Sequence, residues 1–281
     1  MSDLAQKLIA ENKRTRDPFL DLGNCGLTEI PEEIGELFWL ESLSLTDSWH
    51  EWSGSNWEPK DSRNKDGPNL LDDLAPLTHL GRLRKLFLER TGVSDLASLA
   101  NLANLQALTI AYTRVSDLAP LANLAYLQTL TIAYTRVNDL APLANLAALQ
   151  SLNVSHTRVS DLGALANLAS LQSLHVWETE VIDLAPLTNL AGLQLLDVSD
   201  TQVSDLAPLA NLHCLHSLNV QNTQVSDLSP LANLPALHTV DISRTQVKNL
   251  SPLIEHIRKG LPVQRSGDCG RAGESISRIA R

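Results

Sequence analysis

Hydrophobic residues recur along most of the chain with a period of 22 residues. Within one period, Leu108 and Ile110 lie two positions apart and alternate with small or polar residues. This alternation predicts a short β-strand whose two apolar side chains point inward. Further apolar residues at every third position then fill the interior behind the strand. The leucines that open the successive periods are Leu83, Leu105, Leu127, Leu149, Leu171, Leu193, Leu215 and Leu237.

A unit of this size cannot bury its hydrophobic side alone, so neighbouring units are expected to stack on one another. Stacking pairs the strands in parallel at about 4.8 Å. The residues between the inward positions, such as Ala107, Thr109 and Ala111, then face away from the core.

Three positions outside the apolar pattern, occupied by Asp, Pro and Thr, are predicted to be structural. An Asp precedes each outer segment, where its side chain caps the first free N–H groups of a short helix or 3₁₀ turn. A Pro three residues later suits such a turn, because a missing N–H costs little there. A Thr at the end of the strand region is predicted to bond to the neighbouring backbone. The Asp row comprises Asp95, Asp117, Asp139, Asp161, Asp183, Asp205 and Asp227.

Residues 105–124 match the pattern L-x-x-L-x-L-x-x-N-x-L, with Thr113 at the Asn position, and so resemble a leucine-rich repeat. The D-L-x-P-L-x-N-L segment is similar to the 22-residue class that includes bacterial internalins and eukaryotic phosphatase regulators. The resemblance implies an α/β repeat fold. It predicts a curved leucine-rich-repeat solenoid with a parallel β-sheet on the concave face and short helical or 3₁₀ segments on the convex face. It also implies protein–protein recognition on the concave face.

The segments that flank the repeats differ from them. Residues 1–16 are predicted to form a capping helix, residues 17–258 the repeat domain, and residues 259–281 a disordered tail. An insertion at about residues 49–69 interrupts the second repeat. Two interpretations of it stay open: its tryptophans seal the first repeats, or they form a binding loop. These tryptophans are Trp49, Trp52 and Trp57.

A second resemblance concerns the beginning and the end of the repeats. Residues 10–18, the following LDLGNCGL stretch and the insertion are similar to the repeat region of bacterial Roco proteins, in which a Roc GTPase and a COR domain follow. Residues 253–263 resemble the exit from those repeats. Residues 267–275 lack the Lys of a phosphate-binding loop, so we expect no nucleotide site there.

Charge and cysteine usage narrow the class of protein. A net charge of −10 argues against binding to nucleic acid, which needs clustered Lys and Arg. The three cysteines are widely spaced, which favours a reducing compartment, and Cys25 at the Asn position of the first repeat is predicted to be a buried, inert thiol. Neither a signal peptide nor a membrane-spanning stretch is visible. We therefore expect a cytoplasmic monomer.

The outward positions suggest where a partner binds. Aromatic and arginine side chains, which dominate binding hot spots, concentrate in the middle repeats. The predicted binding residues are Tyr112, Arg114, Tyr134, Arg136, His156, Arg158, His175 and Trp177. The histidines His216 and His238 lie one strand apart, as do His175 and Asp197, but no further ligand is evident. We therefore predict no metal, no cofactor and no catalytic residue.

The sequence thus favours a protein-binding scaffold or adaptor whose partner is a protein or peptide, of acidic or phosphorylated character. One alternative is a truncated regulatory repeat region of a Roco-type GTPase. Another is a bacterial effector or surface interaction protein. The partner's identity does not follow from the sequence, because a scaffold does not determine a function.

Overall fold

Each repeat contributes one three-residue strand and one 3₁₀ turn, as the periodicity predicts. In this computed structural model, residues 2–52 and 57–265 are described, and the chain divides into two compact units, Met1–Leu149 and Gln150–Arg281. In each unit the strands form a parallel sheet, and the 3₁₀ turns follow on the other side of the hydrophobic core. The fold is a leucine-rich-repeat solenoid.

The first unit begins with a helix and contains seven strands among its described residues. The helix α1 spans Asp3–Thr15. The strands are β1 Phe19–Asp21, β2 Ser42–Ser44, β3 Ser48–Trp52, β4 Trp57–Asp61, β5 Lys85–Phe87, β6 Ala107–Thr109 and β7 Thr129–Thr131. The 3₁₀ helices are Glu32–Glu36, Ala75–Leu77, Ala97–Leu99, Ala119–Leu121 and Ala141–Leu143.

The sheet of the first unit has the strand order β1-β2-β5-β6-β7, and equivalent leucines lie side by side in it. Leu86 of β5 pairs with Leu108 of β6, which pairs in turn with Leu130 of β7. All three side chains are completely buried. A shift of one residue would turn every such leucine to solvent, so burial determines the register.

The helix α1 covers the open end of the repeats through a buried polar contact. Asn12 is 4% exposed, and its side-chain amide donates to the carbonyl of Asp17 at 3.0 Å and to that of Phe19 at 3.2 Å. Its Oδ1 accepts from Nε1 of Trp39 at 2.9 Å. The Arg16 guanidinium lies 3.8 Å from a ring centroid of Trp39. A polar side chain thus joins the helix to the first two repeats.

The insertion contains the antiparallel hairpin of β3 and β4, which is separate from the repeat sheet. Its exit is fixed to the first repeats: Asn69 donates to the carbonyls of Leu22 at 2.8 Å and Leu45 at 2.9 Å and accepts from the N–H of Leu27. Sequence reasoning missed this buried Asn. The side chains of residues 49–58, and hence of the three tryptophans, lie outside what the structure describes.

The second unit has six strands among its described residues, in chain order across its sheet. They are β8 Ser151–Asn153, β9 Ser173–His175, β10 Leu195–Asp197, β11 Ser217–Asn219, β12 Thr239–Asp241 and β13 Val263–Gln264. The 3₁₀ helices are Gly163–Leu165, Ala185–Leu187, Ala207–Leu209, Ser229–Leu231 and Ser251–Leu253, and the helix α2 spans Ile254–Arg258.

The ordered chain runs past the tail boundary predicted at residue 259. Val263 pairs with Val240 of β12, and Leu261 and Val263 are 6% and 3% exposed. The predicted tail is polar in composition, so two buried apolar residues at its start were overlooked. Residues 266–281 lie outside the described residues.

The polar rows bond locally. The carboxylate of Asp117 accepts from the N–H of Ala119 at 2.8 Å, and equivalent Asp residues do the same in both units. The Thr113 hydroxyl donates to the carbonyl of Ile110 at 2.7 Å, three residues back in the same repeat. The Asp row and the Thr row are therefore structural, as predicted, and each bonds within its own repeat.

Candidate functional site

From β5 to β12, each strand is followed by one residue in the left-handed conformation, and we call these residues the αL column. In the first unit Arg90, Tyr112 and Tyr134 have φ of 57°, 58° and 57°. In the second unit the column comprises His156, Glu178, Asp200, Asn222 and Arg244, with φ between 52° and 58°. The shared value shows that the repeat imposes this conformation, whichever residue occupies the position.

Tyrosine is a costly choice for the αL column. The N–H of Tyr112 bonds to the carbonyl of Ala133 at 2.9 Å, which holds the backbone in place. A left-handed conformation costs a bulky L-residue roughly 1–2 kcal/mol, whereas Asn and Asp tolerate it. Asp200 and Asn222 fit that preference and Tyr112 and Tyr134 do not.

The two tyrosines of the first unit form a stacked pair. Their ring centroids are 4.1 Å apart and the ring planes are inclined by 11°. The Arg90 guanidinium lies 5.2 Å from the Tyr112 ring centroid and pairs with Asp47 at 3.3 Å. Tyr112 remains 45% exposed, so the stack presents apolar surface to solvent.

Arg114 and Arg136 lie two residues beyond the tyrosines, and both are exposed. Their backbone N–H groups bond to the carbonyls of Val93 and Val115, in each case in the preceding repeat. Within the described part of the chain, neither guanidinium has an ion pair or side-chain hydrogen bond. We call Tyr112, Arg114, Tyr134 and Arg136 the tyrosine–arginine patch.

Two outward positions of the neighbouring strands are buried. Phe87 and Thr109 are 2% and 3% exposed, although alternation turns both away from the leucine core. Burial raises the pKa of Glu89, with the Thr109 side chain and the Arg90 guanidinium acting in the opposite direction. Phe87 and Thr109 therefore offer no accessible surface, whereas Lys85 is exposed and Thr131 is half-buried. The sequence did contain a sign that Phe87 is buried: it is a large apolar residue where other repeats have Thr, Asn or Asp.

Of the four predicted binding residues in the second unit, two are in contact with each other: His156 and Trp177. The rings of His156 and Trp177 are 4.0 Å apart between centroids and edge to face at 80°. His156 Nε2 lies 3.0 Å from a carboxylate oxygen of Glu178, a residue that sequence reasoning did not select. Arg158 is exposed. Burial lowers the pKa of His175, partly offset by the nearby Asp197 carboxylate.

Comparison with known proteins agrees with this architecture. The family described as Leucine Rich repeats (2 copies) matches residues 191–233 and 215–255. Residues 191–255 thus match the leucine-rich-repeat family, and the fold is that of a leucine-rich-repeat solenoid. A comparison with curated protein sequences found no significant match.

Solved leucine-rich-repeat structures include bacterial and plant neighbours of this one. An internalin, InlF, from Listeria monocytogenes has a TM-score of 0.80 and 27% identity, over 94% of this chain and 74% of the internalin. Internalin C2 from the same organism has a TM-score of 0.67 and 28% identity, over 78% of this chain and 92% of its own.

A more distant neighbour shares the fold alone. It is the ectodomain of the Arabidopsis thaliana membrane receptor kinase GASSHO1/SCHENGEN3, in complex with CASPARIAN STRIP INTEGRITY FACTOR 2. Its TM-score is 0.65 at 21% identity, over 84% of this chain and 28% of the receptor chain. Leucine-rich repeats are a known scaffold for binding proteins and peptides.

The described residues contain neither a membrane-spanning helix nor a cluster of metal ligands. Across residues 2–52 and 57–265, no helix is both long and apolar enough to cross a membrane. The same residues contain no group of three or more His, Cys, Asp or Glu side chains arranged to hold a metal ion.

Proposed function

We propose that this leucine-rich-repeat protein is a binding scaffold or adaptor and that its tyrosine–arginine patch captures a protein segment rich in carboxylate or phosphate groups. The observation that carries the proposal is the stacked Tyr112–Tyr134 pair at positions whose backbone disfavours tyrosine. Binding, with no catalytic step, is the activity that this surface supports best.

Selection for the side chain explains the tyrosines better than selection for the backbone does. The αL conformation recurs in every repeat of the column, and Asn or Asp would occupy it at lower cost. A stacked aromatic pair offers rigid apolar area with little conformational entropy to lose on binding. A partner that covers the pair therefore adds buried apolar area to the stabilisation that stacking already gives.

The adjacent arginines define the chemistry of the partner. Arg114 and Arg136 project from neighbouring repeats, and strands in such a sheet lie about 4.8 Å apart, so their like charges repel. An anionic segment removes that repulsion and accepts paired N–H bonds from each guanidinium. The chain as a whole carries a charge of −10, so other surfaces would repel the same segment.

Several features of this proposal remain predictions. They are the cytoplasmic location, the monomeric state and the participation of His156, Arg158, His175 and Trp177. The alternatives of a truncated Roco-type regulator and of a bacterial effector or surface protein also remain predictions. The internalin neighbours bear on the last of these, since they are bacterial proteins of the same fold.

The test compares partner capture by the wild type and by a Tyr134→Ala/Arg136→Glu variant. If both residues are hot spots, each contributes on the order of 2 kcal/mol, so the double variant should lose partner affinity by more than a hundredfold. Binding by the wild type should also weaken with salt, because exposed charges are screened over about 10 Å at 0.1 M.

The matched control is Asn222→Ala/Gln224→Glu, which makes the corresponding changes at the equivalent positions of a repeat in the second unit. It should retain the partner. Retention by the Tyr134/Arg136 variant, together with loss on deletion of the β3–β4 hairpin, would place the binding site in the insertion and refute the proposal.

A further inference from the structure

Two histidines of the second unit are arranged in the same way on adjacent repeats. His216 and His238 precede β11 and β12, and both are exposed. Their ring centroids are 5.3 Å apart and the ring planes are inclined by only 9°. The spacing follows from the parallel sheet, in which Ser217 pairs with Thr239. The sequence places these residues one strand apart, but the common ring orientation appears only in the structure.

The backbone determines which ring nitrogen is available. Nδ1 of His216 lies 2.5 Å from the carbonyl oxygen of Cys214, and Nδ1 of His238 contacts the carbonyl oxygen of Ala236 in the same way. A carbonyl oxygen only accepts, so each Nδ1 carries the proton and donates it. In the neutral ring, Nε2 then holds the lone pair. Both rings therefore present the same unprotonated nitrogen.

This arrangement is the one that metal-binding histidines adopt. A histidine that ligates a metal through one nitrogen usually donates its other N–H to a backbone carbonyl or carboxylate, which orients the ring and makes the ligating nitrogen more basic. Here that supporting bond is already present for both rings. Neither residue has to change tautomer or lose a hydrogen bond when a metal binds at Nε2.

Contrary to the expectation from the sequence that this pair holds no metal, we propose that His216 and His238 form a two-nitrogen site for a divalent transition-metal ion, with both Nε2 atoms as ligands. Imidazole suits Cu²⁺, Ni²⁺ and Zn²⁺, and the general order of affinity places Cu²⁺ first. Because no third His, Cys, Asp or Glu joins the pair within the described residues, water completes the coordination. The site is therefore open.

A small rearrangement closes the site. Because the rings are nearly parallel, their two nitrogens bind one metal side by side, and bonds of about 2.1 Å at about 90° place those nitrogens about 3.0 Å apart. The ring centroids are 5.3 Å apart, so the Nε2 atoms must turn towards each other by about 2 Å. Both side chains are exposed and lie outside the packed core, so this movement displaces no buried residue.

The experiment is a titration of the full chain, without a histidine tag, with copper(II) sulfate in a buffer that does not chelate metals. Calorimetry gives the affinity and stoichiometry, and electron paramagnetic resonance counts the nitrogen ligands. We expect one tight equivalent with two imidazole nitrogens.

The variants His216→Asn and His238→Asn should each lower the affinity for copper by roughly tenfold or more. Losing a residue that merely supports a ligand already lowers metal affinity by about that factor, and each of these variants removes a ligand itself. The matched control is His213→Asn, which removes an exposed histidine of the same repeat and should leave the affinity unchanged. A tight equivalent that persists in the His216→Asn/His238→Asn double variant, or one that His213→Asn abolishes, would overturn the proposal.

Discussion

The assignment of inward and outward positions can be tested with Leu152→Ala in the second unit. The Leu152 side chain is completely buried and pairs in register with Leu174. Replacement by Ala removes three carbon groups, each worth about 0.8 kcal/mol on transfer from water. The cavity that remains adds to this, so the expected loss of unfolding free energy is about 2–5 kcal/mol.

Gln150→Ala is the matched control, two residues away in the chain. The Gln150 side chain is exposed, whereas its carbonyl accepts from the N–H groups of Gln172 and Ser173. Alanine retains those backbone bonds, so the unfolding free energy should change by less than about 0.5 kcal/mol.

Urea unfolding followed by circular dichroism measures both variants. For each variant, the slope of unfolding free energy against urea concentration should first be checked against that of the wild type, because a repeat protein with a weakened central repeat can lose cooperativity. Where the slopes agree, the unfolding free energies can be compared directly. Equal losses from Leu152→Ala and Gln150→Ala would refute the assignment of the two faces.

Three further predictions follow from individual side chains. Burial raises the pKa of the Cys25 thiol to about 12, so mass spectrometry after iodoacetamide treatment of the folded chain should show Cys214 alkylated and Cys25 protected; early labelling of Cys25 would contradict its burial. Because burial lowers the pKa of His175, the unfolded state binds more protons below pH about 6.5, and acidification should destabilise the fold. The wild type should therefore lose more unfolding free energy between pH 7.5 and 5.5 than His175→Gln does, and equal losses would exclude this contribution. Asp117→Ala, which removes the acceptor of the Ala119 N–H, should cost about 0.5–2 kcal/mol by urea unfolding, with Ser116→Ala as the neutral neighbour.

The sequence by itself determined the repeat, the inward residues and the local caps. A leucine at every 22nd position and apolar residues two apart leave one way to bury the hydrophobic surface, so the pairing of Leu108 with Leu130 was predictable. The bond from Ala119 to Asp117 was equally predictable, because it spans two residues and needs no distant partner. Such features depend on neighbours in the chain or on an exact translation of the repeat.

Only the tertiary structure decided which outward side chains remain accessible and how they are oriented. Phe87 and Thr109 alternate outward and yet are buried, which the alternation of the sequence does not predict. The left-handed backbone of Tyr112 arises from its bond to Ala133 in the next repeat, and the Tyr112–Tyr134 stack follows from that geometry. The periodicity of a sequence predicts what every repeat has in common. Side-chain contacts between repeats depend on which residues occupy the facing positions, and these differ from one repeat to the next.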